Sequence, residues 1–542
     1  MTRRGRSQTG PGPAAGGEAG DRGAAVARHR ARLRLLLLLA PLLLALLVAL
    51  GRVAGPSDLS QNYDQSKTVA YTADVVLHGR WVLPRDNAGR LTTKPPLVNW
   101  LGAACVWALT PVDLAWREWA LKLPSVLAGL LTVGATVLAA LRLSGPHRES
   151  LPGRPPPAFV ACGAGLAVAS SPFFVKHVYF LRPDMLAAAL LTVGWLAATV
   201  LLSRRTRRPV AWAAALWLAM GLAALTKGFT ALLLPMYVVA AAKLVHGRFA
   251  AAGRTRIAWG LPLGLAVGLS WPVMVYLADP GYLMNDLLGG QTANRFGGEG
   301  GLGHYLFRVG RDVLEMIGWP LEGVGPWYPA ALVALVALPR RRWLGPVAGP
   351  AIVWVLCVFA IFVPVTHKGA SYLLPMYPAM AVLAAVAWLN LPKIAPPGRS
   401  LAGLASVAVA LAAAGLVYET RFSSAAEDGQ AGAEMVAFAK RAAPIVGDDS
   451  VSYVNLHNTP LSTLMGRHPG DAGLARGGTT WVVELVPIDE NSRDQAEAEH
   501  LPGGEADDRA SVDSSPALTS APFTSRQTNH IDGKARLVLW KR

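Results

Sequence analysis

Charge is scarce in this chain of 542 residues: Asp, Glu, Lys and Arg together make up 16%, against 52% hydrophobic residues. Acidic groups are the scarcer sign, 34 against 51 Lys and Arg, which leaves a net charge of +17. Cysteine is almost missing. Cys105, Cys162 and Cys357 all lie in apolar segments without metal-ligand spacing, which excludes a disulfide framework, a thiolate metal site and a catalytic thiol. Internal repeats, the mark of many transporter halves, are also missing. Low charge with apolar residues in long blocks excludes an ordinary soluble domain and gives the profile of a polytopic membrane protein. The positive excess excludes less than it suggests. The arginines fall in short clusters between apolar runs, as in RRTRR (204–208), HGRFAAAGRTR (246–256) and PRRR (339–342). Such clusters fit cytoplasmic loops under the positive-inside rule, so no nucleic-acid partner is expected.

What is present is a series of spans. Residues 1–32, rich in Gly, Ala and Arg, read as a disordered basic cytoplasmic tail. The run 35–55 is as long as the ~20 residues that a bilayer crossing requires, and reads as a retained signal anchor. Ten more apolar runs follow, near 119–143, 156–172, 183–203, 209–226, 229–245, 257–277, 326–339, 346–364, 370–390 and 400–418. Placing every arginine cluster inside gives an alternating path whose loop 54–118 and C-terminal part 419–542 are external. One apolar segment, 95–111, is left over. A further crossing there would turn all the later clusters outward, so it is expected to lie in the interface, with Trp100, Trp107, Trp116 and Trp119 at headgroup level. In the C-terminal part, 431–443 reads as helix, 451–456, 479–487 and the final ARLVLWKR as strands, and 489–516 as a polar loop. The expected fold is therefore an all-α membrane domain over 33–418, of about 11–13 spans with membrane-parallel helices in the first external loop. A small extracytoplasmic α/β domain over 419–542 completes it.

On this topology the outer face carries isolated ionisable residues in apolar or aromatic surroundings: Asp64, Lys94, Lys176, Arg182, Asp184, Lys227, Arg295, His367 and Lys368. Each alone has a plain structural explanation, such as a snorkelling lysine for Lys227 or a local ion pair for Arg182 and Asp184. Together they run against the positive-inside bias, and ionisable groups at membrane depth are costly without partners or a function. Several cations and two carboxylates at one interface describe a site for a lipid phosphate beside a general base.

The stretch from Asp64 to Trp100 carries a recognisable order: Asp64–Gln65, then Gly79–Arg80–Trp81–Val82–Leu83–Pro84, then Thr93–Lys94–Pro95–Pro96–Leu97–Val98–Asn99–Trp100. LKLPSVLAGLLTV (121–133), RPDM (182–185), LTKGF (225–229) and HKGASYLLPMYPAM (367–380) follow. This ordered set resembles the bacterial aminoarabinose transferase and protein O-mannosyltransferase group, membrane glycosyltransferases of the GT-C fold. The resemblance implies transfer of a sugar, hexose or pentose, from a polyprenyl-phosphate donor to a lipid, polysaccharide or protein hydroxyl. It places Asp64 as the catalytic base, Asp184 as the second acidic residue, and Lys94 and Tyr372 on the donor phosphate. Arg182, Lys227 and Lys368 join the phosphate site by location. The chain departs from the pattern at Gln65 and Thr93, where the group has acids, and at Gln291 and Thr292 in GGQTANRF (289–296). No metal site is expected, and no cofactor is required, since Lys and Arg can neutralise a leaving phosphate. The setting implied is the bacterial inner membrane, with the site on the extracytoplasmic face of a monomer. A glycolipid transporter or flippase, or a catalytically silent glycolipid-binding relative, is the alternative.

Overall fold

The computed structural model describes residues 15–55, 63–86, 89–109, 114–145, 155–204, 206–292, 302–337, 348–365, 369–390 and 396–422. In the C-terminal part it describes 434–435, 437–442, 444–446, 450–454, 480–487, 518–520, 523–525 and 533–541.

Every apolar run of the sequence is helical. They are α1 (Ala15–Val53), α4 (Leu114–Ser144), α5 (Pro157–Ala169), α7 (Pro183–Leu202), α8 (Pro209–Lys227), α9 (Leu233–Leu244) and α10 (Ile257–Ala278). They continue as α12 (Trp327–Ala337), α13 (Gly349–Phe362), α14 (Tyr377–Asn390) and α15 (Pro397–Arg421). Between them lie α2 (Tyr63–His78), α3 (Leu97–Ala108), the short α6 (Pro172–His177) and α11 (Leu302–Val324). Among the described residues, seven helical stretches are long and apolar enough to cross a membrane, one of them running from Pro209 to Leu244 through the 3-10 turn Gly228–Leu232. Helices satisfy their own backbone polar groups, which is the condition for crossing hydrocarbon. At Gly228 the backbone takes φ +58, a left-handed conformation open to glycine, and there α8 hands over to the 3-10 turn that leads into α9.

α1 starts at Ala15, ahead of its apolar run, so the tail read as disordered over 1–32 is helical from residue 15. Ala and Arg in AAVARHRARLR are strong helix formers, and that local preference outweighs the lack of apolar periodicity.

Buried tryptophans fasten the bundle. Trp195 donates to the Pro350 carbonyl at 3.2 Å, Trp354 to that of Pro375 at 2.7 Å, Trp217 to that of Thr255 at 2.8 Å, and Trp327 to the Ser170 hydroxyl at 3.1 Å. Each indole buries a large apolar face and satisfies its one donor at the end of a neighbouring segment. Arg52 and Glu419 pair at 3.8 Å, which brings the ends of α1 and α15 to the same end of the bundle.

The C-terminal strands β1 (Ser450–Val454), β2 (Thr480–Pro487), β3 (Leu518–Thr519), β4 (Phe523–Ser525) and β5 (Gly533–Lys541) form one sheet. β1 runs parallel to β2, and β5 pairs antiparallel with β2, β3 and β4. Helical residues between 434 and 446 accompany them. The loop read over 489–516 lies outside the described residues.

Candidate functional site

The site is assembled where α7 begins and α8 ends. Arg182 is the extended residue before α7, Pro183 opens the helix with its fixed φ, and Asp184 falls in the first turn. There the helix dipole favours a carboxylate, just as the last turn of α8 favours the cation of Lys227. Asp184 is buried. Its Oδ1 accepts from Lys227 Nζ at 2.6 Å, and Arg182 Nε lies 3.1 Å from its Oδ2. Lys227 also lies 4.1 Å from the ring centroid of Tyr372, and Arg182 5.8 Å from that of Phe180. Tyr372 belongs to the 3-10 turn Ala370–Met376 and meets Phe362 edge to face at 5.2 Å. Two cations on one carboxylate leave this cluster a net charge of +1, set against aromatic faces. That is the charge balance of an anion site in which the carboxylate orients the cations.

The segment before Arg182 is held from three sides. Leu181 N donates to Gln65 Oε1 at 2.7 Å, Ser125 Oγ donates to the Phe180 carbonyl at 2.8 Å, and Lys122 lies 4.3 Å over the Tyr179 ring. Lys122 is fully buried and pairs with Glu118 at 3.0 Å. Gln65 adjoins Asp64 in chain, so its amide ties the start of α2 directly to the RPDM turn. His177 lies under the same turn. Its Nδ1 donates to the Phe173 carbonyl at 2.9 Å. Its proton affinity is lowered to about 4, chiefly by burial; the nearby Asp184 carboxylate and the Phe173 carbonyl raise it in part, and Arg182 and Lys176 lower it.

The first loop is bolted to the bundle by its aromatics. Trp100 Nε1 donates to the Trp81 carbonyl at 2.8 Å, and Trp271 Nε1 to that of Val82 at 2.8 Å. The Tyr282 hydroxyl donates to the carbonyl of Thr92 at 3.0 Å. Trp107 stacks edge to face on Trp81 at 5.1 Å and is exposed. Trp100, read as an interfacial anchor, serves as a fastener inside the loop. Asp74, wholly buried, accepts from Arg80 Nη1 at 3.0 Å and from Arg85 N at 2.7 Å, with His78 Nδ1 at 2.8 Å. These contacts fix the approach to Lys94, which is half-buried and whose N–H faces Thr92 Oγ1 at 3.4 Å.

Of the residues singled out in the sequence, Arg182, Asp184, Lys227 and Tyr372 are brought together. Asp64 is placed by its backbone in the first turn of α2, and its side chain lies outside the described residues, as do Arg295, His367, Lys368 and the side chains of Gln291 and Thr292. Sequence reasoning took Gln65 only for a departure from the pattern and missed Glu118, His177 and Asp74. The available signals were a polar residue beside Asp64, an acid four residues before Lys122, and a lone acid four residues before His78.

No protein-family model matches the chain, and no curated protein sequence matches it. Solved structures do. ArnT from Cupriavidus metallidurans in the apo state is similar with a TM-score of 0.59 at 18% identity, over 88% of this chain and 93% of that one. ArnT from the same organism bound to undecaprenyl phosphate gives a TM-score of 0.62 at 18% identity, over 93% and 97%. The likeness establishes the fold, the GT-C architecture that this chain shares with these structures.

Proposed function

We propose that this protein is an integral membrane glycosyltransferase that moves a sugar from a polyprenyl-phosphate donor to a hydroxyl of a lipid, polysaccharide or protein. The observation that carries the reading is the cluster of Arg182, Asp184, Lys227 and Tyr372, net positive and partly buried, at one end of a GT-C bundle. A structure of similar fold with undecaprenyl phosphate bound supports the same donor class. In this reading Asp64 takes the proton from the acceptor hydroxyl, whose oxygen attacks the anomeric carbon. The bond from that carbon to the phosphate oxygen breaks, and polyprenyl phosphate leaves with the electron pair.

Lys94, Tyr372, Arg182, Lys227 and Lys368 stabilise the charge that grows on the leaving phosphate. One donor aimed at such charge is typically worth about 10²–10³ in rate. Asp184 keeps Arg182 and Lys227 extended toward the phosphate and stops them from repelling each other. The bacterial inner membrane, with the site on its extracytoplasmic face, is the setting that puts the arginine clusters inside. The division into a tail (1–32), a membrane catalytic domain (33–418) and an extracytoplasmic α/β domain (419–542) belongs to the same proposal.

The test is sugar release from radiolabelled polyprenyl-phosphate donors by the purified protein, with envelope extract as acceptor. Release that depends on both donor and acceptor supports the reading. A panel of hexosyl and pentosyl donors that all remain intact would sink it.

A further inference from the structure

Opposite the Asp184 cluster, the bundle carries a cavity of about 910 Å³ that the proposed reaction does not use. Arg142 comes from the last turn of α4, Arg204, Arg207 and Arg208 from the turn between α7 and α8, and Ala211 and Trp212 from the outward side of α8. Four arginines from two separate parts of the chain therefore line one hollow, and none of its lining residues is acidic. Arg204, Arg207, Arg208 and Ala211 are exposed, Trp212 is half-buried, and Arg142 lies 6.0 Å from the Trp212 ring.

Two further observations show that the charge is gathered here at a cost. Among the described residues, the non-glycine positions with positive φ are Arg204 at 56° and Arg256 at 55°, both at this end of the bundle. Arg204 follows α7, a place where glycine is favoured, and an L side chain is strained in that conformation. Arg254, whose Nη1 donates to the Leu202 carbonyl at 2.5 Å, has its proton affinity lowered by burial and then by Arg204 and Arg248. Arg204, which lines the hollow, thus meets like charge from Arg254 beside it. An arrangement that is strained and self-repelling is relieved by an anion.

We propose that this cavity is a binding site for the phosphodiester headgroup of an anionic phospholipid, held by Arg142, Arg204, Arg207 and Arg208, with Trp212 at the glycerol level. The occupant is chosen by the surroundings. Guanidinium forks match phosphate oxygens in pairs, an indole prefers the headgroup layer, and the small Ala211 leaves the face of α8 open for an acyl chain. A soluble phosphate would use the arginines and gain nothing from the indole or the apolar face beside it.

Native mass spectrometry of the full chain in neutral detergent tests this, with phosphatidylglycerol, cardiolipin, phosphatidylcholine and inorganic phosphate as probes. The expected result is that the two anionic lipids are retained at least about tenfold more tightly than phosphatidylcholine, and that the triple substitution Arg142→Gln, Arg207→Gln, Arg208→Gln removes the difference. Equal retention of anionic and zwitterionic lipids, or anionic lipid held unchanged by the triple variant, overturns the proposal. Inorganic phosphate that displaces the lipid at micromolar concentration overturns it in favour of a soluble anion. Arg204→Gly guards against a variant that merely misfolds, since it removes a charge and relieves the left-handed backbone. It should hold or raise the thermal midpoint while weakening anionic lipid severalfold, and a variant that keeps full lipid retention counts against the site.

Discussion

Both ends of the helical bundle are basic, but their charges are organised differently. At the end that carries Asp184, cations are few and partnered: Lys227 and Arg182 share one buried carboxylate, and Lys227 also faces Tyr372. At the other end Arg142, Arg204, Arg207 and Arg208 line a hollow with no acidic residue among its lining residues. A matched cation near hydrocarbon is held in one geometry, because leaving its partner means burying an uncompensated charge. A grouped, exposed cation can rearrange and is screened by salt. The first arrangement suits a chemical step that needs a fixed charge at a fixed point. The second suits adhesion to a charged surface.

The largest effect should come from Asp64→Asn, which removes the proposed base and leaves the matched cations in place. Turnover should fall by about 10²–10⁴, the usual worth of a positioned base, while donor retention and the thermal midpoint stay unchanged; near-normal turnover would dismiss Asp64. Asp184→Asn attacks the matching itself. It strands Lys227 and Arg182 beside a neutral amide, and loss of one partner from a buried pair typically costs about 3–5 kcal/mol. The thermal midpoint in detergent should drop by many degrees, whereas Arg207→Gln at the other end should move it little. Equal shifts would mean that the two ends do not differ as described.

The spans were legible because hydropathy acts locally and every apolar block became a helix. Arg142, Arg204, Arg207, Arg208 and Arg254, from three of the arginine clusters, share one end of the bundle, as the contact of Arg254 with Leu202 and the shared lining of Arg142 and Arg204 attest. The cluster of Arg182, Asp184, Lys227 and Tyr372 was legible through isolation, since a lone ion in an apolar run is conspicuous. Partnerships across long sequence distances were not. Gln65 looked like a lost acid until its amide was seen to hold Leu181, 116 residues away. Nor did the sequence distinguish Trp100 as a fastener from Trp107 as an exposed ring, since both read as interfacial aromatics.

Gln65 offers a sharper probe of the matched end, because its amide holds the Leu181 N–H, one residue before Arg182. Gln65→Leu leaves the buried Leu181 N–H without its acceptor, a loss of about 1–3 kcal/mol. If the amide positions the RPDM turn against α2, turnover should fall more than donor affinity does. Gln65→Glu, which keeps an acceptor at the same reach, should recover most of the activity. No recovery in Gln65→Glu, or equal loss of affinity and turnover in Gln65→Leu, would reduce Gln65 to packing.

The smallest expected effect separates the two ends by pH. His177 is held neutral under the Asp184 turn, with its affinity for a proton lowered to about 4, mainly by burial and against the pull of Asp184. An unfolded histidine titrates near 6.5, so between these values the unfolded chain binds the extra proton and the folded chain does not. Stability from this group is therefore complete above about 6.5 and is lost as pH falls toward 4, by about 1.4 kcal/mol at pH 5.5. Thermal midpoints measured from pH 7.5 to 5.5 should fall in the native protein and fall less in His177→Phe, whose ring still fits among Phe173 and Phe180. Arginines do not titrate in this range, so the hollow at the other end should retain anionic lipid equally across it. A loss of lipid in step with the loss of stability would show that the two ends are coupled through the bundle.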